Sequence, residues 1–355
     1  MRNRRRAAAR HRWWSNLAAG MIGFGLALVL AEGAARVAYP GWTDFNRQRF
    51  IDVTTVDGTA QTIGRAGFEG WFAQNNGDFR VPIRLNAAGL RNDDPVEAAT
   101  GRLWAVGESF AFGWGVIRED SFGAVAAGRL GWNWYNVASP SATLEETRRL
   151  VLRMPAPVRP RAVVLGLTLG DELGGRIPAE APAAVGLHAS WLQLKHRLSE
   201  RSAFYNLVVQ ALKRSDRVNS LLVGLRLVEP PRERHPPLPD SEIDAVLDSS
   251  LEAIGRVQAL IPAEVPFVVL LIPARDDLLN SDPVSRRQRL GMTERLTARG
   301  ILVVDPSDAF LSGEKERVYF AHDDHWTPLG HRLAGEAVAR VLAALPPAPT
   351  SPAAP

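Results

Sequence analysis

The chain of 355 residues contains no cysteine. That excludes a disulfide scaffold, a thiolate-held zinc, an iron–sulfur cluster and a cysteine nucleophile. It leaves the compartment open, because exported proteins also exist without disulfides. Acidic residues are absent from the first twelve positions, where Arg2, Arg4, Arg5, Arg6, Arg10 and Arg12 stand. Without those six arginines the chain holds 36 basic against 38 acidic residues. The formal net charge of +4 is therefore a property of the N-terminus. The nearly neutral body argues against a nucleic-acid partner. With 46% hydrophobic and 23% charged residues, the chain can bury enough apolar surface to fold. The length admits one large domain with insertions or two smaller ones. The sequence has no internal repeat.

Charge is also missing from Trp13 to Ala31, a stretch that contains the apolar run Leu17–Ala31. About 20 apolar residues span the hydrocarbon core of a bilayer. Trp13 and Trp14 stand where indoles belong at a membrane interface, and Glu32 and Arg36 end the run. The arginines before the run place the N-terminus in the cytoplasm by the positive-inside rule, with the body exported. No clean small-x-small cleavage site follows. The segment is thus expected to be an uncleaved anchor in the inner (cytoplasmic) membrane rather than a signal peptide.

The organisation expected from these patterns has four parts. Residues 1–38 are the arginine-rich start and transmembrane anchor. Residues 39–100, rich in Gly, Asn and Asp, form a β-rich lead-in, with a strand at Phe79–Leu85 that Pro82 confines to a sheet edge. Residues 101–345 form an α/β domain, and 346–355 are a disordered Pro/Ala-rich tail. In the α/β domain, strands are expected at Leu103–Val106, Trp132–Ala138, Arg161–Leu169, Val265–Ile272 and Ile301–Val304. Helices are expected at Ser121–Leu130 (capped by Asp120), after the capping-box pair Thr143 and Glu146, at 241–261, at 284–299, and after Thr327-Pro328. Residues 176–240 interrupt the alternation with helical stretches at about 188–200 and 203–227 and a proline-rich linker. They read as an insertion over one edge of the core. Five strands alternating with helices predict a doubly wound, mostly parallel, flavodoxin-like three-layer sheet.

In such a sheet, ligands bind beyond the carboxyl ends of the strands. Gly107-Glu108-Ser109-Phe110 follows the first strand, and Asn136 to Ser141 follow the second. Gly170-Asp171-Glu172 follows the third, and His322-Asp323-Asp324-His325-Trp326 precedes the last helix. A serine, a histidine and an acid on one rim are the makeup of an acyl-transfer site. His322 and His325 have a metal-like spacing, but no third ligand cluster accompanies them, so no metal and no cofactor are expected. Arg275-Asp276-Asp277 reads as a turn, His331 as a structural residue and Asp324 as a solvated one.

These stretches resemble the SGNH (GDSL-type) hydrolases. V-G-E-S-F-A-F-G-W-G-V (106–116) is similar to that family's first block, and D-D-H-W-T-P-L-G-H (323–331) to its last. R-L-N-A-A-G-L-R (84–91) resembles the lead-in of membrane-anchored bacterial members. The resemblance implies Ser109 as nucleophile, His325 as base and Asp323 as its partner. It places Ser109, Ser141 and Asp171 at the oxyanion positions. Three positions depart from the family: Glu108 replaces an aspartate, Ser141 a glycine and Asp171 an asparagine. An ionised aspartate only accepts hydrogen bonds and would repel an oxyanion. The function implied is an envelope-exposed serine esterase acting on an ester or acylated glycan. The alternatives are a polysaccharide O-acetyltransferase, as in alginate-acetylating relatives with a similar acid-x-His-Trp block, and a catalytically silent glycan-binding protein on the same fold.

Overall fold

The computed structural model describes residues 2–56, 59–74, 76–168, 194, 197–213, 216–224, 239–313 and 315–346. The expectations for Asp171, the helix at 188–200 for the most part, the linker before residue 239 and the tail beyond residue 346 lie outside the described residues. The chain forms two compact units, one of Met1–Asn46 with Ala183–Val228 and the other of Arg47–Pro182 with Glu229–Pro355.

The first unit is built on α1 (Arg2–Ala38). Its segment Asn16–Ala38 is long and apolar enough to cross a membrane, and its most apolar stretch is not buried by protein. Met21, Ile22, Phe24, Val29 and Leu30 are all well exposed. At the end of the apolar run, Glu32 accepts from the backbone N–H groups of Ala203 and Phe204 at 2.9 and 3.0 Å and from the Ser202 hydroxyl at 2.8 Å. These donors open α5 (Ala203–Lys213), and α6 (Asp216–Gly224) follows. A helix start leaves backbone N–H groups without intrahelical partners, and here a carboxylate from α1 satisfies two of them. Arg36 donates to the Arg201 carbonyl at 2.7 Å. The residues that end the apolar run therefore also hold the start of the described stretch 203–224. That stretch contains two helices where one was expected over 203–227.

The second unit opens with two antiparallel hairpins: β1 (Ile51–Val56) with β2 (Thr59–Gly64), and β3 (Glu69–Ala73) with β4 (Arg80–Arg84). Pro82 sits in this two-stranded sheet opposite Trp71, an edge position where its missing N–H costs no ladder bond. The central sheet follows: β5 (Leu103–Gly107), β6 (Trp134–Ala138), β7 (Ala162–Thr168), β8 (Phe267–Ile272) and β9 (Leu302–Val304). All neighbours are parallel, in the order β6-β5-β7-β8-β9. This is the expected doubly wound five-stranded topology.

Side-chain alternation divides the core into two layers. Leu103, Ala105, Val164, Val268 and Leu270 point to one face, against Phe122 and Ala126 of α3 (Phe122–Leu130) and Ala334 and Val338 of α11 (Pro328–Ala343). Trp104, Val106, Leu165, Val269 and Leu271 point to the other. They meet Leu150 of α4 (Leu144–Leu152), Leu247 and Ile254 of α7 (Asp240–Gln258), and Leu296 of α9 (Pro283–Ala298). Burying each such side chain is worth about 1.5–3 kcal/mol. The first layer also takes in Phe50, Phe72, Phe79, Val81 and Ile83 from the lead-in, so the hairpins share the α/β core.

Local signals mostly hold. Thr143 and Glu146 form a reciprocal capping box, and Glu146 also accepts from Thr62 N–H at 3.2 Å. Gly131 ends α3 in the left-handed region at φ 65°. Asp120 does not cap α3. It lies in a preceding 3-10 turn, and Ser121 takes the cap position while its hydroxyl donates to the Arg118 carbonyl. Arg275 to Asn280 is not a turn but a short helix, α8 (Arg275–Asn280), followed later by α10 (Ser307–Leu311).

Candidate active site

Gly107 ends β5 at φ 139°, a conformation that L side chains rarely adopt, and a Cβ there would lie 2.7 Å from the Gly166 carbonyl. The chain can therefore turn sharply off the sheet into α2 (Ser109–Phe112), which presents Ser109 at its first position. Arg91 fixes the far side of this turn. It is fully buried and donates to the carbonyls of Phe112, Gly113 and Val116 at 3.1, 2.5 and 2.9 Å, and to Pro82 at 3.1 Å. Burial lowers its pKa to about 10. Asn136 lies inside β6 rather than on the rim. Its amide donates to the Ala111 carbonyl at 2.8 Å, and its own backbone N–H and carbonyl are held by Asn92. Arg91 and Asn136 stand in stretches noted in the sequence, but nothing there marked them, or Asn92, for this role. Their work is to satisfy buried carbonyls, which only the tertiary structure places near them.

His325 arrives from the other direction, on the loop before α11. An isolated bridge between Tyr319 and Trp326, and the Phe320 N–H donating to the His325 carbonyl at 3.0 Å, hold that loop. The imidazole lies between the rings of Phe110 and Trp114, with centroids 4.8 and 5.8 Å away. Its Nε2 is 2.7 Å from Ser109 Oγ, and its Nδ1 bonds Asp323 Oδ1. That acceptor carboxylate assigns the proton to Nδ1 and leaves Nε2 free to accept from the serine hydroxyl. Asp323 Oδ1 also accepts from the His325 backbone N–H at 2.9 Å. Burial pushes the Asp323 carboxyl up, but the bonds and charge of His325 and the amide of Gln74 outweigh it. The net effect holds the group below the usual aspartate value.

The three residues read from the sequence as nucleophile, base and acid thus form one continuous line. Glu108 adds a competitor. Its Oε2 accepts from Ser109 Oγ, while Oε1 accepts from Thr168 Oγ1 at 2.6 Å. The one Ser109 hydroxyl proton thus faces two neighbours, Glu108 Oε2 and His325 Nε2. Ser141 holds φ 62°, the left-handed conformation that favours glycine. Asp324 is exposed, 3.8 Å from Arg275. Among the described residues no cluster of His, Asp and Glu could hold a metal ion.

His331, on α11, is fully buried and accepts from the Phe122 N–H at 3.3 Å. Burial, reinforced by the charges of His325 and Arg91, lowers its pKa to about 3. A histidine ordinarily titrates near 6.5, so below that value the unfolded chain binds a proton the folded chain refuses. This contribution to stability is complete above about pH 6.5 and is lost as pH falls toward 3. Thermal melting of the detergent-solubilised chain is expected to drop between pH 7 and 5, and the drop is expected to shrink in His331→Gln. An equal drop in both proteins would assign the acid sensitivity elsewhere.

Residues 239–355 match the family model described as "SGNH hydrolase-like domain, acetyltransferase AlgX". The matched segment contains Asp323 and His325, while Ser109 lies upstream of it. The match covers about a third of the chain, and it is this C-terminal segment that is similar to the SGNH hydrolase-like family. Among proteins of curated function, none matches the sequence. Solved structures with a similar chain course include a lipolytic protein of the G-D-S-L family from Veillonella parvula. It is 13% identical, with 69% of this chain and 100% of that one covered and a TM-score of 0.41. A lipase/acylhydrolase from Enterococcus faecalis is 9% identical, with 68% and 95% covered and a TM-score of 0.40. A carbohydrate esterase family 2 enzyme with a carbohydrate-binding domain, from Corynascus thermopiles, is 15% identical, with 83% and 86% covered and a TM-score of 0.41.

Proposed function

We propose that this protein is a membrane-anchored serine esterase or acyltransferase that acts on acylated glycans of the bacterial envelope. The observation that carries the chemistry is the line from Ser109 Oγ through His325 to Asp323. Ser109 Oγ attacks the acyl carbonyl as its proton passes to His325 Nε2. The backbone N–H groups of Ser109 and Ser141 hold the resulting oxyanion. Collapse breaks the ester C–O bond, and the imidazolium returns the proton to the departing alcohol. Water then releases the acid, or a sugar hydroxyl accepts the acyl group, with His325 again as base. Asp323 fixes the tautomer and balances the imidazolium charge. The acetyltransferase in the description of the matched family supports acyl transfer, and transfer to a polysaccharide hydroxyl is the second reading.

Labelling of the detergent-solubilised chain by a fluorophosphonate tests the chemistry, since the reagent reacts with an activated serine whatever the natural substrate. Adduct on Ser109 is the expected result. An unlabelled protein would favour a silent glycan-binding role. The anchor reading rests on the exposed apolar helix and its arginine-rich start. An alkaline phosphatase fusion at residue 60 is expected to be active, and an inactive fusion beside a working cytoplasmic reporter would overturn the orientation.

A further inference from the structure

The turn between β3 and β4 is tied to the catalytic loop by several side chains. Gln74 Nε2 donates to Asp323 Oδ2 at 2.6 Å. Asn76 Nδ2 donates to the His322 carbonyl at 3.3 Å, and Asp78 Oδ2 accepts from the His322 N–H at 3.0 Å. The His322 ring meets Asp78 Oδ1 at 3.0 Å. The described residues of the turn also bond one another. Gln74 N–H donates to the Phe79 carbonyl, the Gln74 carbonyl accepts from Gly77 N–H, and Asn76 Oδ1 accepts from Asp78 N–H. Phe72 and Phe79, on either side of the turn, are buried in the core beside Trp114 and Phe320.

The two oxygens of Asp323 have separate duties. Oδ1 receives both bonds from His325, and among the described residues Gln74 is the only donor to Oδ2. A carboxylate held at one oxygen can swing about its terminal torsion, whereas an amide on the second oxygen fixes its plane. We propose that Gln74, delivered by the β3–β4 hairpin, is a positioning residue that sets the Asp323 carboxylate and, through it, the His325 imidazole aimed at Ser109. This rests on the acyl-transfer reading above and assigns the lead-in hairpin a part in the site.

Gln74→Ala removes the donor. It is expected to lower kcat for a nitrophenyl ester, and the rate of fluorophosphonate labelling, by about ten- to a hundredfold at every pH with KM unchanged, as a misaimed base would. Gln74→Glu gives a pH signature that a merely structural role would not. When protonated, the introduced carboxyl donates as the amide does. When ionised, it only accepts and repels Asp323. The variant is expected to lose rate as pH rises, over a range where the parent is flat. Asp78 with His322, Asp324 and Arg275 also face this loop, but they are the same in both proteins, so a new base-side loss belongs to position 74. Gln74→Ala within twofold of the parent, or Gln74→Glu parallel to Gln74→Ala at all pH values, overturns the proposal. If the parent itself is not labelled, the acyl-transfer reading fails separately. The low-field proton resonance of His325 Nδ1–H then decides the positioning claim. A resonance lost or moved in Gln74→Ala supports it, and one unchanged in that variant overturns it.

Discussion

Ser109→Ala and His325→Ala are each expected to lower ester turnover by about 10⁴- to 10⁶-fold and to abolish fluorophosphonate labelling. The size follows from the geometry. Nε2 lies 2.7 Å from the serine oxygen, and the ring is held between Phe110 and Trp114 and bonded to Asp323 on its far nitrogen. A serine hydroxyl is a weak nucleophile without a base at that distance, and the base is useless without a proton to take. Two residues that act in one step lose their effect together. The double variant should therefore be about as slow as either single one, far from the product of the two losses. Asp323→Asn should lose about 10⁴-fold, because an amide can place its own N–H against Nδ1 and turn the imidazole to the wrong tautomer. Steady-state rates and labelling of the four variants decide this. Turnover persisting in Ser109→Ala would mean that another group carries the chemistry.

The parts of the site legible in the sequence are those whose chemistry is local. Ser109 and Glu108 sit on a strand-to-helix turn marked by Gly107, and Asp323 and His325 sit two residues apart before a Thr-Pro helix start. The strands are legible for a related reason. β7 and β8 are buried on both faces and read as unbroken apolar runs. What the sequence hid is held together by long-range contacts. Gln74 reaches Asp323 across 249 positions, and Thr168 reaches Glu108 across 60. A glutamine or threonine has no pattern that distinguishes a brace from a solvated residue. β1 and β2 were hidden because polar residues such as Asp52, Thr54, Thr55, Gln61 and Thr62 break any clean alternation. The short helix at Arg275–Asn280 was hidden because its Arg-Asp-Asp opening is also the composition of a turn.

Asp171→Asn is expected to raise activity about 10²- to 10³-fold, the usual worth of one oxyanion donor. The resemblance places Asp171 where the family carries an asparagine whose side-chain N–H₂ donates to the tetrahedral oxyanion. Aspartate has the same size but, when ionised, offers only acceptors, so it withholds the donor and sets a like charge against the developing one. Ser141, the other position at which the resemblance notes a departure, holds φ 62°, a left-handed conformation that glycine would adopt without strain. A donor regained at position 171 would add to the two backbone N–H groups, of Ser109 and Ser141, proposed to hold the oxyanion. The gain should vanish in a Ser109→Ala background, where no tetrahedral intermediate forms. It should also appear in kcat more than in KM, because the ground-state carbonyl carries little of the charge that the donor meets in the transition state. Kinetics with a short-chain nitrophenyl ester on the single and double variants measure both. No gain, or a loss, in Asp171→Asn would remove Asp171 from the oxyanion position and leave it as a structural acceptor beyond the end of β7.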